Sequence, residues 1–358
     1  MTTSTPQYHD EEVAALIMAA AQKGVDTRFP DKLVEVAAAD HEVPTPEGWS
    51  DMASVFTLRK SKTVLNIPVK VYSPSDWPEE IRDYIPEVDP TYYFNSKLLS
   101  DLAFAVKVGG PILLHGPTGT GKTTLIEQFC AKTNIPFLKL SCHPQQEQSE
   151  FLGTRQVIND NGVPITTYSY TDCTLAATFG GFLCIDEAFR SGILLCIQSL
   201  LEVPHRLNLQ DLGGKVRTLR PPKGKFWIGL TDNTTGTGDT TGSYVAEVQD
   251  LSTLNRIRHT IYIDYMNTKE ELKMLTGLFP TMDPIHLGEF IKVARLIRDA
   301  FVKGSVQQTF SIRNLIGWIE NYNILKNNWN SFCLCFYNKL GTDDSKIIKN
   351  CYDQVFTK

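Results

Sequence analysis

The chain has 358 residues, of which 42% are hydrophobic and 21% are charged, and its formal net charge is −5. This length allows two or three domains, each with its own core. The acidic balance weighs against a general nucleic-acid-binding protein, because no overall basic field would attract phosphate groups. No apolar run reaches the roughly 18 residues that a membrane-spanning helix requires. Because the N-terminal segment also lacks the basic start of a secretion signal, we expect a cytoplasmic protein that does not enter a membrane.

The eight cysteines do not follow a spacing that is typical of a metal site. Cys333 and Cys335 form a C-x-C pair without a second pair nearby, and the other cysteines are scattered along the chain. We interpret all eight as buried or incidental thiols in a reducing compartment.

Residues 1–88 are predicted to form an N-terminal region and a linker. Apolar residues at helical spacing predict a helix over Glu11–Lys23, which ends at Gly24. Alternating polarity predicts a strand over Val64–Tyr72. Four prolines then indicate the linker: Pro74, Pro78, Pro86 and Pro90.

Residues 89–265 alternate between short apolar runs and helical patterns. The apolar runs, which predict buried strands, are Pro111–His115, Pro136–Leu140, Phe182–Ile185 and Phe226–Leu230. Helical spacing covers Lys122–Lys132 and Ser191–Val203. Such alternation predicts an α/β domain in which a parallel sheet has helices on both faces. Ligands of such sheets bind at the carboxyl ends of the strands.

Residues 266–358 contain no clear strand and are predicted to form a small all-helical domain. Helical spacing covers Thr268–Gly277, Ile285–Val302 and Ser311–Asn327. The chain is therefore predicted to have three parts, of which the middle one contains the parallel sheet.

The segment PILLHGPTGTGKTT contains the pattern G-x-x-x-x-G-K-[ST], which is typical of a phosphate-binding loop. A predicted strand precedes it and a predicted helix follows it, as this pattern requires. Glycines let the backbone turn its N–H groups towards phosphate, and the helix presents its positive end. Lys122 is expected to neutralise the β- and γ-phosphates, and Thr123 to give its hydroxyl to Mg²⁺. The candidate nucleotide-binding residues are Gly116, Pro117, Thr118, Gly119, Thr120, Gly121, Lys122, Thr123 and Thr124.

A second motif, GGFLCIDEAFR, follows further along the chain. Its apolar run ends in Asp186 and Glu187, so a buried strand would deliver both carboxylates to its tip. Asp186 is the candidate for holding Mg²⁺, and Glu187 is the candidate general base that polarises the attacking water. Together with the phosphate-binding loop, this motif predicts a P-loop nucleoside triphosphatase.

These two motifs, and the later segment TDNTTGTGDTTGSYVAEVQDLSTLNRIRHTIYIDYM, resemble the AAA+ ATPases. Within that superfamily the chain is most similar to the MoxR clade, and in particular to the CobS-type ATPase subunit of aerobic cobaltochelatase. The resemblance covers roughly residues 85–325. It implies an AAA+ α/β core and a helical lid domain that bind ATP and Mg²⁺. The chain has no N-K-x-D sequence of the kind that recognises guanine, although the sequence leaves GTP open as a substrate.

The resemblance implies further roles for residues at matching positions. Asn233 matches sensor 1, which helps to orient the attacking water, and Arg313 matches sensor 2 on the lid. Arg256 matches the arginine finger, which reaches the γ-phosphate bound to a neighbouring subunit. Asn255 stands where the family has Asp, and Arg258 lies close by, so Arg256 and Arg258 are both candidates for the finger.

The resemblance also implies two inserted hairpins and a place for adenine. Gln156–Tyr170, with an Asn161-Gly162 turn, resembles the helix-2 insert, and Arg206–Leu219 resembles the pre-sensor-1 hairpin. The alternative interpretation of both is a simple surface hairpin. Adenine is expected near Tyr92–Phe94, in the segment before the phosphate-binding loop.

An arginine that acts on a neighbouring subunit implies a homo-oligomer, which we expect to be a hexameric ring. By resemblance, such a ring would use ATP hydrolysis to remodel or activate a partner protein. The family implies a partner with a von Willebrand A domain, and metal chelation is one activity that such a pair performs.

Two other functions stay open. A nucleic-acid-associated AAA+ motor is disfavoured by the acidic charge and by the lack of an evident DNA-binding module. A nucleotide-gated assembly scaffold would need nucleotide binding but not hydrolysis. Lys122, Asp186, Glu187 and Arg256 argue against a scaffold, because binding alone does not require a group that activates water.

Overall fold

The computed structural model describes residues 45–58, 64, 66–160, 162–212, 215–238, 244 and 246–356. A parallel sheet interleaved with helices comes first, and a group of helices follows it. The helix predicted over Glu11–Lys23 lies outside the described residues. Among the residues described, no helix is both long enough and apolar enough to cross a membrane.

In chain order, the strands among the described residues are β1 (Ile112–His115), β2 (Phe137–Ser141), β3 (Thr154–Asp160), β4 (Val163–Ser169), β5 (Gly181–Asp186), β6 (Leu207–Leu212), β7 (Lys215–Leu219), β8 (Phe226–Asp232) and β9 (His259–Tyr262). Five of them form a sheet in the order β2-β5-β8-β1-β9, and every neighbouring pair is parallel. Every residue of β8 is buried, as expected for a strand that is covered on both faces. The predicted α/β fold with a parallel sheet is confirmed.

The described α-helices, in chain order, are α1 (Met52–Val55), α2 (Glu79–Arg82), α3 (Ser96–Val108), α4 (Lys122–Thr133), α5 (Gln148–Leu152), α6 (Asp172–Phe179), α7 (Gln198–Leu201), α8 (Leu251–Leu254), α9 (Thr268–Leu278), α10 (Pro284–Val302), α11 (Ile312–Leu325), α12 (Asn328–Cys335) and α13 (Thr342–Phe356). Short 3₁₀-helices cover Pro74–Asp76, Ala188–Arg190, Gly192–Ile197 and Tyr337–Lys339. Helix α4 directly follows the glycine loop, as predicted.

The continuous helix predicted over Ser191–Val203 is wrong. The segment is 3₁₀-helical over Gly192–Ile197 and α-helical over Gln198–Leu201. Leu194 and Ile197 are both fully buried and lie three residues apart, a spacing that suits the three residues per turn of a 3₁₀-helix. Packing against the core therefore overrides the α-helical pattern here.

The strand predicted over Val64–Tyr72 is also wrong. Among the residues of this segment that the structure describes, one antiparallel bridge joins Val69 to Ser50. The strand does not extend to its predicted end, because the backbone N–H of Tyr72 donates to the carbonyl oxygen of Thr133 at the end of helix α4. Alternating polarity therefore did not predict the hydrogen-bond partners of this segment.

The proline-rich segment that follows packs on the same hydrophobic core as the sheet. It contains a 3₁₀-helix over Pro74–Asp76, then Trp77, and then α2 with its buried Ile81. Trp77 is 1% exposed, and its indole N–H donates to the carbonyl oxygen of Asn134 at 2.7 Å. Whether a domain boundary falls at residue 88 stays a prediction.

The two predicted hairpins are confirmed as antiparallel pairs, β3 with β4 and β6 with β7. The first turn contains Gly162 with φ +86°, a backbone conformation that favours glycine. Asn161, and the glycines Gly213 and Gly214 between β6 and β7, lie outside the described residues. The roles that the family resemblance implies for the hairpins stay predictions.

Helices α9 to α13 share a second hydrophobic core. The fully buried aromatic residues at its centre are Phe290, Phe310, Trp318, Phe332 and Phe336. Helices α9, α10 and α11 confirm the three predicted helices, and residues 266–356 contain no strand. Helices α12 and α13 were not predicted. The boundary at residue 265 between the sheet and the lid stays a prediction.

All eight cysteines are free thiols in the described structure, and most of them are buried. The buried ones are Cys130, Cys142, Cys173, Cys184 and Cys351. Burial raises the pKa of each of these thiols, so the protonated form is favoured at neutral pH.

Replacing Trp77 with alanine tests whether the proline-rich segment is part of the folded core. The Trp77→Ala variant is expected to lower the free energy of unfolding by about 3–5 kcal/mol, because a large buried side chain is removed. The matched control is Val71→Ala, at a side chain that is 37% exposed, and it should change stability by less than about 0.5 kcal/mol. Urea unfolding followed by circular dichroism measures both. Equal stabilities for the two variants would contradict the packing role.

Candidate nucleotide-binding site

Strands β1, β5 and β8 end at one edge of the sheet and bring the predicted site residues together there. Asp186 at the end of β5 lies beside Thr231 of β8 in the parallel register. The glycine loop leaves β1 at Gly116, Glu187 follows β5, and Asn233 follows β8. Motifs that are far apart in the sequence therefore meet at the carboxyl edge of the sheet, where such folds bind ligands.

Positive φ angles and close contacts explain the glycines of the loop. Gly116 has φ +142°, and a Cβ atom there would lie 2.0 Å from the carbonyl oxygen of Ile263. Gly119 has φ +71°, and a Cβ atom there would lie 2.3 Å from Cβ of Ser311. The loop is therefore held between the end of β9 and the start of α11, and larger residues do not fit at either position.

The ammonium group of Lys122 is buried against this loop. It donates to the carbonyl oxygens of Gly116 and Pro117 at 2.8 and 2.9 Å, and to Oδ1 of Asn233 at 2.9 Å. Burial lowers the pKa of Lys122 to about 8, although Asp232 and other nearby carboxylates oppose the shift. A cation that is poorly solvated in this way would gain stability from phosphate oxygens.

The carboxylate of Asp186 joins three elements. Its Oδ1 accepts hydrogen bonds from the hydroxyl of Thr123, at 2.8 Å, and from the hydroxyl of Thr231. Its Oδ2 lies 2.9 Å from the ammonium nitrogen of Lys139 on β2. Burial alone would raise the pKa of Asp186, but the hydrogen bonds from Lys139 and from the two threonines outweigh it and hold that pKa below its ordinary value.

These oxygen atoms fit a magnesium site. Mg²⁺ prefers oxygen ligands and is usually held in proteins by one or two carboxylates, together with water and the phosphates of the substrate. The hydroxyl of Thr123 and the ionised carboxylate of Asp186 are close enough to serve one ion. The residues present at the sheet edge are therefore of the right type for the predicted metal.

Glu187 has an unusual backbone conformation beside Asp186. Its φ of +55° lies in the left-handed region, which few residues other than glycine adopt and which is often found at functional sites. Its carboxylate forms an ion pair of 2.9 Å with Arg190. Burial raises the pKa of Glu187; Arg190 opposes this effect and Asp186 adds to it. A raised pKa suits a group that takes a proton from water.

The three predicted arginines lie outside this set of contacts. Arg256 forms an ion pair with Glu202, with 2.8 Å between Nη2 and Oε1. The side chain of Arg258 packs against Gly110, before β1 begins and therefore near the opposite edge of the sheet. Arg313 is exposed on the first turn of α11. The contacts of the loop and of the two carboxylates described above involve none of these arginines.

A cavity of about 820 Å³ opens beside the loop, and its lining includes Thr120 and Gly121. Tyr92 and Tyr93, from the segment predicted to hold adenine, also line this cavity, and Phe94 is buried. Its volume lies within the range of pockets that enclose small ligands. The segment Tyr92–Phe94 and the loop therefore border one space.

Three residues that the sequence did not single out also contribute to the site: Lys139, Asp232 and Tyr265. Asp232 is 5% exposed, and its carboxylate accepts hydrogen bonds from the backbone N–H groups of Phe189 and Thr234 at 2.9 and 2.8 Å. These bonds fix the segments that follow β5 and β8 relative to each other. Tyr265 donates its hydroxyl proton to a carbonyl oxygen of the glycine loop.

A sequence signal existed for one of these residues. Asp232 follows the apolar run Phe226–Leu230 after one threonine, a pattern close to the one that identified Asp186. Lys139 lies in a strand whose burial alternates, so its pattern is that of an ordinary exposed side chain. Tyr265 lies in a connection without periodicity, and only the folded chain shows its contact.

Comparisons with known proteins cover the same part of the chain. A family model described as the AAA domain (dynein-related subfamily) matches residues 111–226. The aerobic cobaltochelatase subunit CobS of a Sinorhizobium species is 27% identical over 285 residues, which are 76% of this chain and 83% of that protein. The denitrification regulatory protein NirQ of Pseudomonas aeruginosa is 27% identical over 172 residues, 47% of this chain and 60% of NirQ. A solved structure of the Thermotoga maritima RuvB Holliday junction branch migration motor is 14% identical, with a TM-score of 0.42, over 76% of this chain and 72% of that one.

The family match spans the glycine loop and the strand that ends in Asp186, so the motifs and the comparison agree on the class of protein. The chain is an AAA+ ATPase and therefore an ATP hydrolase. Within that superfamily it belongs to the MoxR clade and is related to the CobS-type ATPases. The resemblance noted in the sequence is thus confirmed at the level of the family.

The affinity for ADP, measured without metal, is expected to fall as the pH rises above 8. Lys122 has a pKa of about 8 before a phosphate binds, and phosphate oxygens would raise this pKa, so binding takes up a proton above pH 8. Below pH 8 the lysine is already charged, and the affinity should be nearly level. Above it, each pH unit should weaken binding by up to about tenfold.

Isothermal titration calorimetry in EDTA, in two buffers with different heats of ionisation, measures both the affinity and the proton uptake. Near pH 8, about half a proton should be taken up for each ADP bound. An affinity that is flat across this range, without proton uptake, would contradict the buried charge at Lys122.

Proposed function

We propose that the chain binds Mg-ATP in the loop Gly116–Thr124, hydrolyses it at the interfaces of a homo-oligomeric ring, and uses that reaction to remodel or activate a partner protein. The observation that carries this proposal is a pair of contacts at one sheet edge. Lys122 donates to Asn233 at 2.9 Å, and Thr123 donates to Asp186 at 2.8 Å. These contacts place a cation, an amide, a hydroxyl and a carboxylate beside one phosphate-binding loop.

Each of these groups has a defined task in the proposed reaction. Lys122 and the loop N–H groups balance the charge of the β- and γ-phosphates. Mg²⁺ held by Thr123 and Asp186 would add positive charge at the same phosphates. Glu187 takes a proton from a water molecule whose oxygen attacks the γ-phosphorus, while the bond to the ADP oxygen breaks. Asn233 orients that water.

Arg256 is proposed to complete the site of the neighbouring subunit. Nε donates to Oε1 of Glu202 at 2.9 Å, Nη2 forms an ion pair of 2.8 Å with the same oxygen, and Nη1 donates to the carbonyl oxygen of Ser252. The side chain is nevertheless 26% exposed, so part of a guanidinium held in one orientation remains accessible to a neighbouring subunit. An accessible and oriented arginine can stabilise the charge that develops on a neighbour's γ-phosphate. Arg258 packs against Gly110 near the other sheet edge and is the weaker candidate.

Arg313 is proposed to approach the γ-phosphate from the lid of its own subunit. It lies two residues after Ser311, the N-cap of α11, and Ser311 packs directly on Gly119 of the loop. The exposed guanidinium therefore starts from a helix end that already contacts the loop. A movement of the lid would bring it towards the nucleotide or away from it.

Adenine is proposed to occupy the cavity beside the loop. Tyr92 and Tyr93 line this cavity together with Thr120 and Gly121, so a base placed there would be continuous with phosphates in the loop. Aromatic side chains are common in such pockets because they offer flat apolar surfaces.

The ring is proposed to be a hexamer that acts on a partner with a von Willebrand A domain, with metal chelation as the more specific possibility. CobS, the relative with the longest match described above, is a subunit of aerobic cobaltochelatase. The hairpin formed by β3 and β4 offers a surface for a partner, because Val157 and Val163 are 68% and 59% exposed. Exposed apolar side chains of this kind often mark protein contacts.

Mixing two inactive variants is expected to restore ATP hydrolysis. Glu187→Gln removes the base but keeps the arginine, and Arg256→Ala removes the arginine but keeps the base. At some interfaces of a mixed ring, Glu187 from one subunit meets Arg256 from the other, and these interfaces are complete. Each variant alone should lose about 100-fold or more in kcat. Phosphate release by the mixture should exceed that of either variant, and light scattering with ATP should show the ring.

The matched control uses the other arginine. At saturating ATP, Arg258→Ala alone should keep a kcat near that of wild type, because its side chain packs against Gly110 near the opposite edge of the sheet. The comparison uses kcat because Arg258 also lines the cavity that is proposed for adenine. Mixtures that stay inactive although both variants assemble would contradict the shared site. Normal hydrolysis by Arg256→Ala would make the finger assignment wrong. Salt-sensitive stimulation by DNA would instead support the nucleic-acid motor.

A further inference from the structure

Tyr265 joins the phosphate-binding loop to the helical lid. Its hydroxyl donates to the carbonyl oxygen of Thr118 at 2.8 Å and lies 3.3 Å from Oγ1 of Thr309. The C=O and N–H groups of a trans peptide point in opposite directions, so this bond also turns the N–H of Gly119 away from Tyr265. One hydroxyl thus sets the orientation of a peptide in the middle of the loop.

Arg298, on lid helix α10, holds the ring of Tyr265 in place. Its guanidinium carbon lies 4.2 Å from the centroid of that ring, which is a cation–π contact. Its Nη1 donates to Oε1 of Glu271 on α9 at 2.6 Å, and its Nε donates to the carbonyl oxygen of Phe310 at 2.7 Å. One side chain therefore connects two lid helices, the turn before α11, and Tyr265.

Stability alone does not account for this arrangement. Arg298 is 6% exposed and Glu271 is 0% exposed. Within the part of the chain that the structure describes, Oε2 of Glu271 and Nη2 of Arg298 are buried without a hydrogen-bond partner. A buried ion pair with unsatisfied atoms is often no more stable than apolar side chains in its place. Its location between the lid helices and Tyr265 therefore points to a positioning role.

The lid contacts the same loop peptide at a second point. Ser311 follows Phe310, whose carbonyl oxygen accepts a hydrogen bond from Arg298. Ser311 packs so closely on Gly119 that a Cβ atom added to Gly119 would lie 2.3 Å from Cβ of Ser311. The peptide between Thr118 and Gly119 is therefore held at both ends. Tyr265, which Arg298 contacts directly, bonds the Thr118 carbonyl. Ser311, which follows Phe310, packs on the Gly119 α-carbon.

We propose that Tyr265 and Arg298 are positioning residues that couple the position of the lid to the shape of the phosphate-binding loop. This coupling rests on the proposed binding of nucleotide in that loop and extends it. Any lid position that breaks the bond from Tyr265 frees the peptide between Thr118 and Gly119. If a change of lid position alters the nucleotide affinity by some factor, nucleotide binding must then alter the equilibrium between the two lid positions by the same factor.

The test compares Tyr265→Phe with wild type in the full chain, because this change removes the hydroxyl and keeps the ring on Arg298. Because Tyr265 also lines the cavity that is proposed for adenine, binding is measured with pyrophosphate, which has no base, as well as with ADP. Both affinities should weaken about two- to tenfold, the range expected for one hydrogen bond to the loop. The KM for ATP should rise by a similar factor while kcat changes less than about twofold. The thermal midpoint without nucleotide should stay within about 2 °C of wild type. The matched control is Tyr337→Phe, which removes a hydroxyl elsewhere in the lid and should not change ADP affinity.

A second variant tests Arg298. Arg298→Lys keeps the charge but cannot bond Glu271 and Phe310 in the same fork, so it should also weaken ADP binding. Because both residues act along one path, the double variant should lose less affinity than the product of the two single losses. A double variant whose loss of ADP affinity equals the product of the two single losses would overturn the part of the proposal that concerns Arg298.

Lys122→Ala in the same ADP titration separates this coupling from the proposed site. If Lys122→Ala loses ADP binding and Tyr265→Phe binds as wild type does, the coupling is wrong and the site stands. If Lys122→Ala binds ADP as wild type does, the proposed site itself is wrong. A lower thermal midpoint of Tyr265→Phe with unchanged ADP affinity would mean that Tyr265 is only structural.

Discussion

The hydrogen bonds that Thr123 and Thr231 donate to Asp186 are the contacts on which the whole site depends. Asp186 ends β5, Thr231 belongs to β8, and Thr123 stands in the first turn of the helix that follows β1. Since β8 lies between β5 and β1 in the sheet, one carboxylate connects the ends of three successive parallel strands. The glycine loop, the oxygen atoms proposed to bind Mg²⁺ and Glu187 are positioned relative to one another through this carboxylate.

The charges around this carboxylate are paired within the protein in an arrangement that a nucleotide would change. Lys139 pairs with Asp186, Arg190 pairs with Glu187, and Lys122 donates only to uncharged oxygens. Mg²⁺ at Asp186 would compete with the ammonium of Lys139, and a phosphate would give Lys122 the anionic partner that it lacks among these bonds. Mg-ATP bound as proposed would therefore partly recover the free energy of burying these charged groups. This recovery links nucleotide binding to the stability of the sheet edge.

Much of the fold and site could be predicted because strict local constraints leave clear patterns. Buried parallel strands are continuous apolar runs, and a loop that needs positive φ at Gly116 can use almost no other residue. The prediction failed where tertiary contacts decide. Val64–Tyr72 has the alternating polarity of a strand, but the bridge between Val69 and Ser50 does not extend into one. Conversely, β9 is a strand of the sheet although only Ile261 of its residues is buried. Lys139 and Tyr265 act through partners on other elements, so their roles appear only in the folded chain.

Electron paramagnetic resonance of Mn²⁺ tests whether Asp186 holds the metal of a bound nucleotide. Titrating Mn²⁺ into the chain with saturating ADP should show one bound ion for each chain. Asp186→Asn should weaken this Mn²⁺ affinity by about 10- to 100-fold, as expected for a carboxylate that supports a metal site. Asp353→Asn, which removes an exposed carboxylate paired with Lys349 on α13, should leave the affinity unchanged. Equal Mn²⁺ affinities in wild type and Asp186→Asn would show that Asp186 does not hold the metal.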